Sequence, residues 1–387
     1  MERPQEVPDM RKVLYTASTY SHIRNFHRPY LNWFRGEGWE VHVGAGGEPA
    51  GVPEADSCFS LPFAKRMTAP SNFRCARLLG HRMEEEEYDL VVTHTALAAF
   101  FTRLPLLRRR ERPRVVNMVH GYLFDEGTPF VKRNILLNAE RLTAPCTDLL
   151  LTMNQSDQEI ARRYRLGGRL ANIPGVGVAY GRIDDVPPEA GAALRREWKI
   201  PPEAFLLIYP AEFSKRKNQA LLLRGLAALP KQVWLLLPGE GACLEECRAL
   251  ARELGVADRV RFPGQVSNIP ACLRAADCAV SASHSEGLPF NIMEAMRAGL
   301  PIVATDVKGH RDLLEGGAGL LYPDGDGAAF ATAVNRLLAD GAERERLGRA
   351  AYAASGRYAL ETVLPQVTAV LRNAMPELFL PDLLPAR

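Results

Sequence analysis

The segment 278–305 constrains the fold of this chain more than any other, because it predicts one complete strand–helix–strand unit. Residues 278–282 are an apolar run of the kind found in buried parallel strands. Gly287 permits a sharp turn, and Pro289 suits the first turn of a helix, where its missing N–H needs no partner. A second apolar run at 301–305 follows the helix. The segment therefore favours a parallel sheet covered by helices.

The same alternation of apolar runs and amphipathic segments continues along the chain. Strands are predicted in the first half at 12–17, 39–44, 88–93, 114–119, 148–153 and 169–173, and in the second half at 205–211, 232–237, 259–262, 277–282, 301–305 and 319–322. Ser156 and Glu159 predict a capping box at the start of one helix. A Gly- and Pro-rich stretch near 175–188 separates the halves, and 387 residues suffice for two domains.

Two glutamates lie in the turn and in the helix of the segment 278–305, with seven residues between them. Glu286 lies near the carboxyl end of a strand, where open parallel sheets bind ligands. Glu294 lies two turns into the helix, and its side chain leans back toward the helix N-terminus, which suits phosphate. This layout fits a sugar attached to a nucleotide diphosphate. The alternative is two solvated carboxylates, with Glu294 in an ordinary ion pair.

This segment resembles the Glu-x7-Glu motif of retaining glycosyltransferases with the GT-B fold, family 4 in particular. The likeness covers nearly the whole chain: residues 12–23 and 26–31 look like the opening of bacterial capsule and exopolysaccharide members, and residues 119–122 and 211–219 look like further motifs of that subgroup. The resemblance implies an α/β protein with two Rossmann-like domains, whose parallel sheets face a central cleft, and a C-terminal helix that crosses back to the first domain.

The resemblance also implies a separate function for each part of the chain. Residues 1–180 are expected to form an acceptor-binding domain and residues 181–358 a donor-binding domain. Residues 359–387 are expected to form the crossover helix and a tail that packs on the first domain.

On the donor side, the resemblance assigns Lys217 to the diphosphate, which lysine binds as a point charge. Many family members carry an arginine five residues earlier, where this chain has Glu212. The second cation must then come from a neighbouring position, and Arg216 and Lys215 are the candidates.

The turn and helix of the Glu-x7-Glu motif are expected to complete the donor site. Glu286 is assigned to the sugar hydroxyls and Glu294 to the ribose hydroxyls. Gly287, Leu288 and Phe290 are expected to line the same donor-binding turn.

Three polar residues of the first half are further candidates. His120 follows a strand, and the resemblance implies that it touches the donor sugar in an orienting role, which makes His120 and Glu286 the predicted catalytic pair. A lone histidine is otherwise more often structural. Ser21 and His22 lie in the first strand-to-helix turn and are candidates for the acceptor side.

The implied activity is transfer of a hexose or N-acetylhexosamine from a UDP-sugar, the donor substrate, to a saccharide acceptor, with no cofactor and no metal. Asp324-Gly325-Asp326 is an Asp-x-Asp sequence, but it is predicted in a late surface turn rather than in a metal site. A polyprenyl-diphosphate-linked acceptor of surface polysaccharide assembly is expected, and a soluble acceptor is the alternative. A UDP-sugar epimerase of the same fold and a non-catalytic partner protein remain open.

Charge and cysteine content narrow the partners and the compartment. The formal net charge of +3 gives no reason to expect nucleic acid. Seven dispersed cysteines without a Cys-x-x-Cys pair predict neither a zinc nor a redox motif and fit a reducing cytosol. No apolar run approaches a membrane span. Peripheral contact with anionic lipid on the inner face of the membrane is expected through Arg103–Arg114, with a solvated helix end as the alternative.

Overall fold

The computed structural model describes residues 10–125 and 127–379, and the internal contacts divide them into two units. Unit 1 comprises the described residues up to Val176 and those from Val363 onward, and unit 2 is Gly177–Thr362. Residues 380–387 of the predicted tail lie outside the described residues.

Unit 1 is built on a sheet of seven parallel strands in the order β3-β2-β1-β4-β5-β6-β7. The strands are β1 Lys12–Ala17, β2 Glu40–Ala45, β3 Ser57–Ser60, β4 Leu90–His94, β5 Arg114–Val119, β6 Leu149–Thr152 and β7 Arg169–Asn172. Six of them confirm predicted strands. Strand β3 was not predicted, because its four residues at the sheet edge are half-exposed to exposed and form no apolar run.

Six helices connect these strands: α1 Tyr20–Phe26, α2 Arg28–Gly36, α3 Pro70–Glu85, α4 Ala96–Arg103, α5 Phe130–Thr143 and α6 Gln155–Tyr164. The capping box predicted at the start of α6 is wrong, because Ser156 already lies inside the first turn. Asn154 caps the helix instead. Its Oδ1 atom accepts from the N–H of Asp157 at 2.8 Å, and its Nδ2 atom donates to the Asp157 carboxylate at 2.6 Å.

Unit 2 is built on six parallel strands in the order β10-β9-β8-β11-β12-β13. The strands are β8 Phe205–Ile208, β9 Val233–Leu236, β10 Val260–Arg261, β11 Cys278–Ser281, β12 Ile302–Thr305 and β13 Leu320–Tyr322. The helices are α7 Gly181–Asp184, α8 Ala190–Glu197, α9 Gln219–Ala227, α10 Leu244–Glu253, α11 Ile269–Ala275, α12 Phe290–Arg297, α13 Lys308–Leu314, α14 Gly327–Ala339 and α15 Gly341–Ser355. All six strands were predicted.

The last helix, α16 (Leu360–Ala374), belongs to unit 1 from Val363 onward, which confirms the predicted return of the chain. The Arg372 guanidinium lies 2.6 Å from the carboxylate of Glu37, and Arg169 donates to the carbonyl oxygen of Ala374 at 2.6 Å. None of the helices within 10–125 and 127–379 combines the length and the apolar content needed to cross a bilayer.

The Arg103–Arg114 stretch, which the sequence predicted to contact anionic lipid, is buried in part and exposed in part. Arg103 is fully buried, where its guanidinium donates to the Glu140 carboxylate at 2.8 Å and to Thr147 at 2.9 Å. Leu106 is buried in the core of unit 1. The prediction is therefore wrong for Arg103, because a buried acid that is distant in sequence draws the side chain inward.

Candidate functional site

A cation–carboxylate cluster lies at the carboxyl edge of the unit 2 sheet. Arg216 and Lys217 follow β8 and Glu286 follows β11, and these two strands are neighbours. Strand order reverses between β8 and β11, which makes the crevice at their carboxyl ends the expected ligand position in such a sheet. The Lys217 ammonium donates to Glu286 Oε1 at 2.6 Å, and the Arg216 guanidinium lies 3.1 Å from the same oxygen.

Burial makes this pair unusual among the ion pairs of the chain. The side chains of Lys217 and Glu286 are 12% and 8% exposed, whereas that of Arg216 is 47% exposed. Burial alone would raise the pKa of Glu286, but attraction to Lys217 and Arg216 outweighs it and holds the pKa below its ordinary value. Burial lowers the pKa of Lys217, and the Glu286 carboxylate offsets part of this shift. The pair is thus a charged ion pair that is largely shielded from water.

The backbone around Glu286 is held by the start of helix α13. A Cβ atom on Gly309 would lie 2.4 Å from the carbonyl oxygen of Gly287, so only glycine allows this approach. Lys308 and His310 on either side of it are buried. Burial lowers the pKa of His310, and the nearby Glu286 carboxylate offsets part of this shift.

Glu294 lies on α12, as predicted, and is half-buried. Burial raises the pKa of this carboxyl to about 7, and the positive charge of Arg182 offsets only part of the shift. Across residues 10–125 and 127–379, no hydrogen bond or ion pair to the Glu294 carboxylate is seen. A half-buried carboxyl without a protein partner in the described residues can accept hydrogen bonds from a ligand.

The other predicted donor-side residues occupy the turn that leads into α12. Leu288 is buried and Phe290 is the first residue of the helix, while Gly287 lies under Gly309. Gly299 takes a φ of +72° and ends the helical segment as predicted.

The Asp-x-Asp sequence is used structurally. The Asp324 carboxylate lies 2.8 Å from Nδ1 of His284, and Asp326 caps α14 by accepting from the N–H of Ala329 at 2.8 Å. Both aspartates are exposed in a turn around Gly325, in agreement with the predicted surface turn.

In unit 1, four histidines converge at the carboxyl edge of the sheet. His22 and His27 follow β1, His94 ends β4 and His120 follows β5. One ring nitrogen of each lies within 4.8 Å of the other three. This histidine cluster (His22, His27, His94 and His120) sits at the β1/β4 reversal of strand order, the unit 1 equivalent of the crevice that holds Lys217 and Glu286.

The histidine cluster contains two residues predicted as site candidates and two that were not. His27 and His94 are fully buried, and His22 and His120 are half-buried. Burial lowers the pKa of His22 to about 4 and those of the other three well below their ordinary value. Ser21, the other acceptor-side candidate, is exposed, and its hydroxyl contacts Thr19 at 2.9 Å.

The backbone beside the histidine cluster is strained. Thr95 has a φ of +63°, a region that β-branched residues avoid. Its Oγ1 atom lies 2.6 Å from the hydroxyl of Ser18, which ties the end of β4 to the end of β1. Strain of this kind persists where surrounding contacts fix it, and it is concentrated at functional sites.

An exposed apolar face lies on helix α5. Phe130, Val131, Ile135 and Leu142 expose between 51% and 72% of their surface. Exposed basic side chains lie on the same helix, among them Lys132 and Arg141. Grouped exposed apolar side chains on a folded unit mark a contact surface.

Comparison with known proteins gives the family context of both units. Residues 192–354 match the family described as "Glycosyl transferases group 1", and residues 26–174 match a "Glycosyl transferase 4-like domain". EpsD of Bacillus subtilis (strain 168), provisionally named as a glycosyltransferase, is 35% identical over 333 residues, which cover 84% of this chain and 87% of EpsD. LpsD of Rhizobium meliloti (strain 1021), a lipopolysaccharide core biosynthesis glycosyltransferase, is 35% identical over 169 residues, 43% of this chain and 48% of LpsD.

Among solved structures, HepE of Anabaena in complex with UDP and glucose superposes with a TM-score of 0.77 at 21% identity, over 94% of this chain and 100% of HepE. At this identity the likeness concerns the fold alone. It confirms the predicted fold class, two Rossmann-like units of the GT-B type.

Proposed function

Because this chain belongs to the group 1 glycosyltransferases, we propose that it transfers a hexose or N-acetylhexosamine from a UDP-sugar to a saccharide acceptor, with retention of anomeric configuration. The observation that carries the proposal is the buried Lys217–Glu286 pair at the β8/β11 crevice. A shielded ammonium there suits a diphosphate better than a neutral ligand. The complex of HepE with UDP and glucose supports a nucleotide sugar as donor.

In this proposal the diphosphate of the donor replaces Glu286 as the partner of the two cations. The diphosphate takes the ammonium of Lys217 and the guanidinium of Arg216, both of which now contact Glu286. Glu286 is thereby released to accept hydrogen bonds from the sugar hydroxyls. Glu294, which has no protein partner in the described chain, accepts from the ribose hydroxyls.

The reaction follows from the same charges. The bond between the anomeric carbon and the phosphate oxygen breaks as the acceptor oxygen bonds to that carbon from the same face. The departing phosphate oxygen takes the acceptor proton, so no protein base is required. The cations of Lys217 and Arg216, with the N-terminus of α12, stabilise the leaving diphosphate in the role that a metal has in other enzymes.

The acceptor is proposed to be a saccharide linked to polyprenyl diphosphate, in bacterial surface polysaccharide synthesis. The named role of LpsD in lipopolysaccharide core biosynthesis supports this pathway class. Helix α5 supports a membrane-bound acceptor, because apolar side chains in a basic setting suit anionic lipid headgroups.

Replacing Val131 and Ile135 together by aspartate is expected to weaken binding to anionic vesicles at least tenfold. Each change removes apolar area and adds repulsion of about 1 kcal/mol per charge near the surface. Co-sedimentation with phosphatidylcholine vesicles, with and without phosphatidylglycerol, measures the effect. Leu78→Asp, at an exposed position on α3, is the matched control and is expected to bind like the wild type. Equal binding by the double variant would remove α5 from the proposal.

The transferase proposal is tested by nucleotide release from a panel of UDP- and GDP-sugars in EDTA, with and without a lipid-linked saccharide. We expect slow release from one UDP-sugar, faster release with acceptor, and loss of both in Glu294→Ala. Glu253→Ala, an exposed glutamate of α10, is the control. Interconversion of the sugar without release would indicate the epimerase, and the absence of both binding and release would indicate a non-catalytic partner.

A further inference from the structure

The histidine cluster brings four of the eight histidines of the chain to one point. Nε2 of His22 lies 3.2 Å from Nε2 of His27 and 3.3 Å from Nε2 of His120. Nε2 of His120 lies 3.2 Å from Nδ1 of His94. The four nitrogens thus form a continuous chain of short contacts.

Hydrogen bonds between the four rings cannot satisfy all of the converging nitrogens. Each neutral ring nitrogen offers one in-plane direction, which holds either a proton or a lone pair. The two central nitrogens, on His22 and His120, each lie in two contacts, so they would have to serve two partners along one direction. The outer nitrogens, Nδ1 of His27 and Nε2 of His94, are buried and have no hydrogen-bond partner within the described residues.

A metal ion resolves this arrangement, because four lone pairs can point at one cation. Zinc–imidazole bonds of about 2.0–2.1 Å in a tetrahedron place neighbouring nitrogens about 3.3–3.4 Å apart. The three short separations in the cluster are 3.2–3.3 Å, and the other pairs, which lie within 4.8 Å, would close to a similar distance when the ion binds. We propose that unit 1 binds one Zn²⁺ ion through His22, His27, His94 and His120.

The placement of the ligands assigns the ion a structural task. It would join the segment after β1, the end of β4 and the start of the loop after β5, which are the three segments that border the unit 1 crevice. Strain at Thr95, next to His94, fits a position fixed by such a bond. The ion is distinct from the donor chemistry proposed for unit 2, which uses Lys217 and Arg216 as cations.

The ligand role also bears on His120. Its Nε2 atom already faces two imidazoles, and as a zinc ligand it would not contact the donor sugar as the sequence predicted. The chain contains a second group of possible ligands, Glu40, His42 and Glu86. That group is a useful contrast, since both ring nitrogens of His42 have protein partners, Glu40 and Tyr88, each at 2.7 Å.

The test is metal stoichiometry of the full chain, purified without a histidine tag, stripped by chelation and reloaded with Zn²⁺ or Co²⁺. We expect one metal per chain by mass spectrometry of the metal, intense visible bands of tetrahedral Co²⁺, and a higher melting temperature with metal. His22→Gln changes a half-buried ligand and is expected to lower the metal affinity by more than about tenfold. Replacing even a residue that only hydrogen-bonds to a metal ligand lowers the affinity by about that factor. His42→Gln is the control and is expected to keep one metal.

Three outcomes would overturn the proposal. They are less than one metal per chain in the reloaded wild type, equal affinity in His22→Gln and the wild type, and loss of the metal in His42→Gln alone. Circular dichroism of His22→Gln separates ligand loss from unfolding, and the stoichiometry of the wild type stands even where a variant does not fold. Since none of these readouts uses a sugar donor, failure of the transferase proposal leaves the metal test unaffected.

Discussion

Lys217→Ala is expected to remove donor binding and to destabilise unit 2 by about 3 kcal/mol, because it leaves the buried Glu286 carboxylate with only the half-exposed Arg216 as a partner. Loss of one member of a buried pair typically costs about 3–5 kcal/mol, and the remaining arginine places this case at the low end. Urea unfolding near pH 8 measures the stability. Titration with UDP-glucose, followed by calorimetry, measures the donor affinity, which we expect to fall by at least about a hundredfold.

A double variant separates the two effects. In Lys217→Met/Glu286→Gln both charges are removed, so most of the stability is expected to return while donor binding does not. Lys231→Ala, at an exposed position of unit 2, is the control for loss of a positive charge. Unchanged stability in Lys217→Ala would show that the pair is solvated, and retained affinity would remove Lys217 from the donor site.

Glu294→Gln is expected to make the protein more stable at pH 8 than the wild type, by roughly 3 kcal/mol. The pKa of Glu294 is raised from 4.5 to about 7, so the folded state binds this proton more tightly than the unfolded state. The wild type therefore loses stability as pH rises from about 4.5 to about 7 and does not regain it above. Each pKa unit corresponds to about 1.4 kcal/mol. Below about pH 4.5 the advantage of the variant disappears.

The same variant is expected to lose donor affinity at pH 8 by at least about tenfold, because an amide accepts from two ribose hydroxyls less well than a carboxylate. UDP-glucose is the suitable ligand, since both its phosphates are esterified and lack the ionisation near pH 6 of a terminal phosphate. Wild-type affinity should fall as pH drops below about 7, and that of Glu294→Gln should not. Glu253→Gln, at an exposed position on α10, is the control. A destabilised Glu294→Gln protein at pH 8 would contradict the assigned burial.

Strands were predictable where the sheet buries both faces. All four residues of β11 are buried, as are all four of β12, and such continuous apolar runs give a clear signal. Strand β3 gave no such signal, because this short edge strand is stabilised by pairing with β2 rather than by its own side chains. The burial of Arg103 could not be predicted from the sequence either, because its partner Glu140 lies far along the chain on α5.

The components of the two crevices were visible in the sequence only in part. Lys217 and Glu286 were each predicted near a phosphate or a sugar, but their direct contact depends on β8 and β11 being neighbours. Two members of the histidine cluster, His27 and His94, were not predicted, because the strand order β1-β4-β5 is what brings the segment of His22 and His27 to His94 and His120. Spacing along the chain carries no signal of a cluster assembled from three segments that are distant in sequence.

Helix α16 determines when each half of the molecule can finish folding on the ribosome. Unit 2 is one continuous stretch, Gly177–Thr362, whereas unit 1 waits for the residues from Val363 onward. At roughly 5–20 residues per second, about ten to forty seconds separate the synthesis of its two parts. Val367 and Leu371 are fully buried in the finished protein, so the surface that receives them stays uncovered during that interval. The nascent chain therefore carries an exposed apolar surface, which is a natural target for chaperones that bind early folding intermediates.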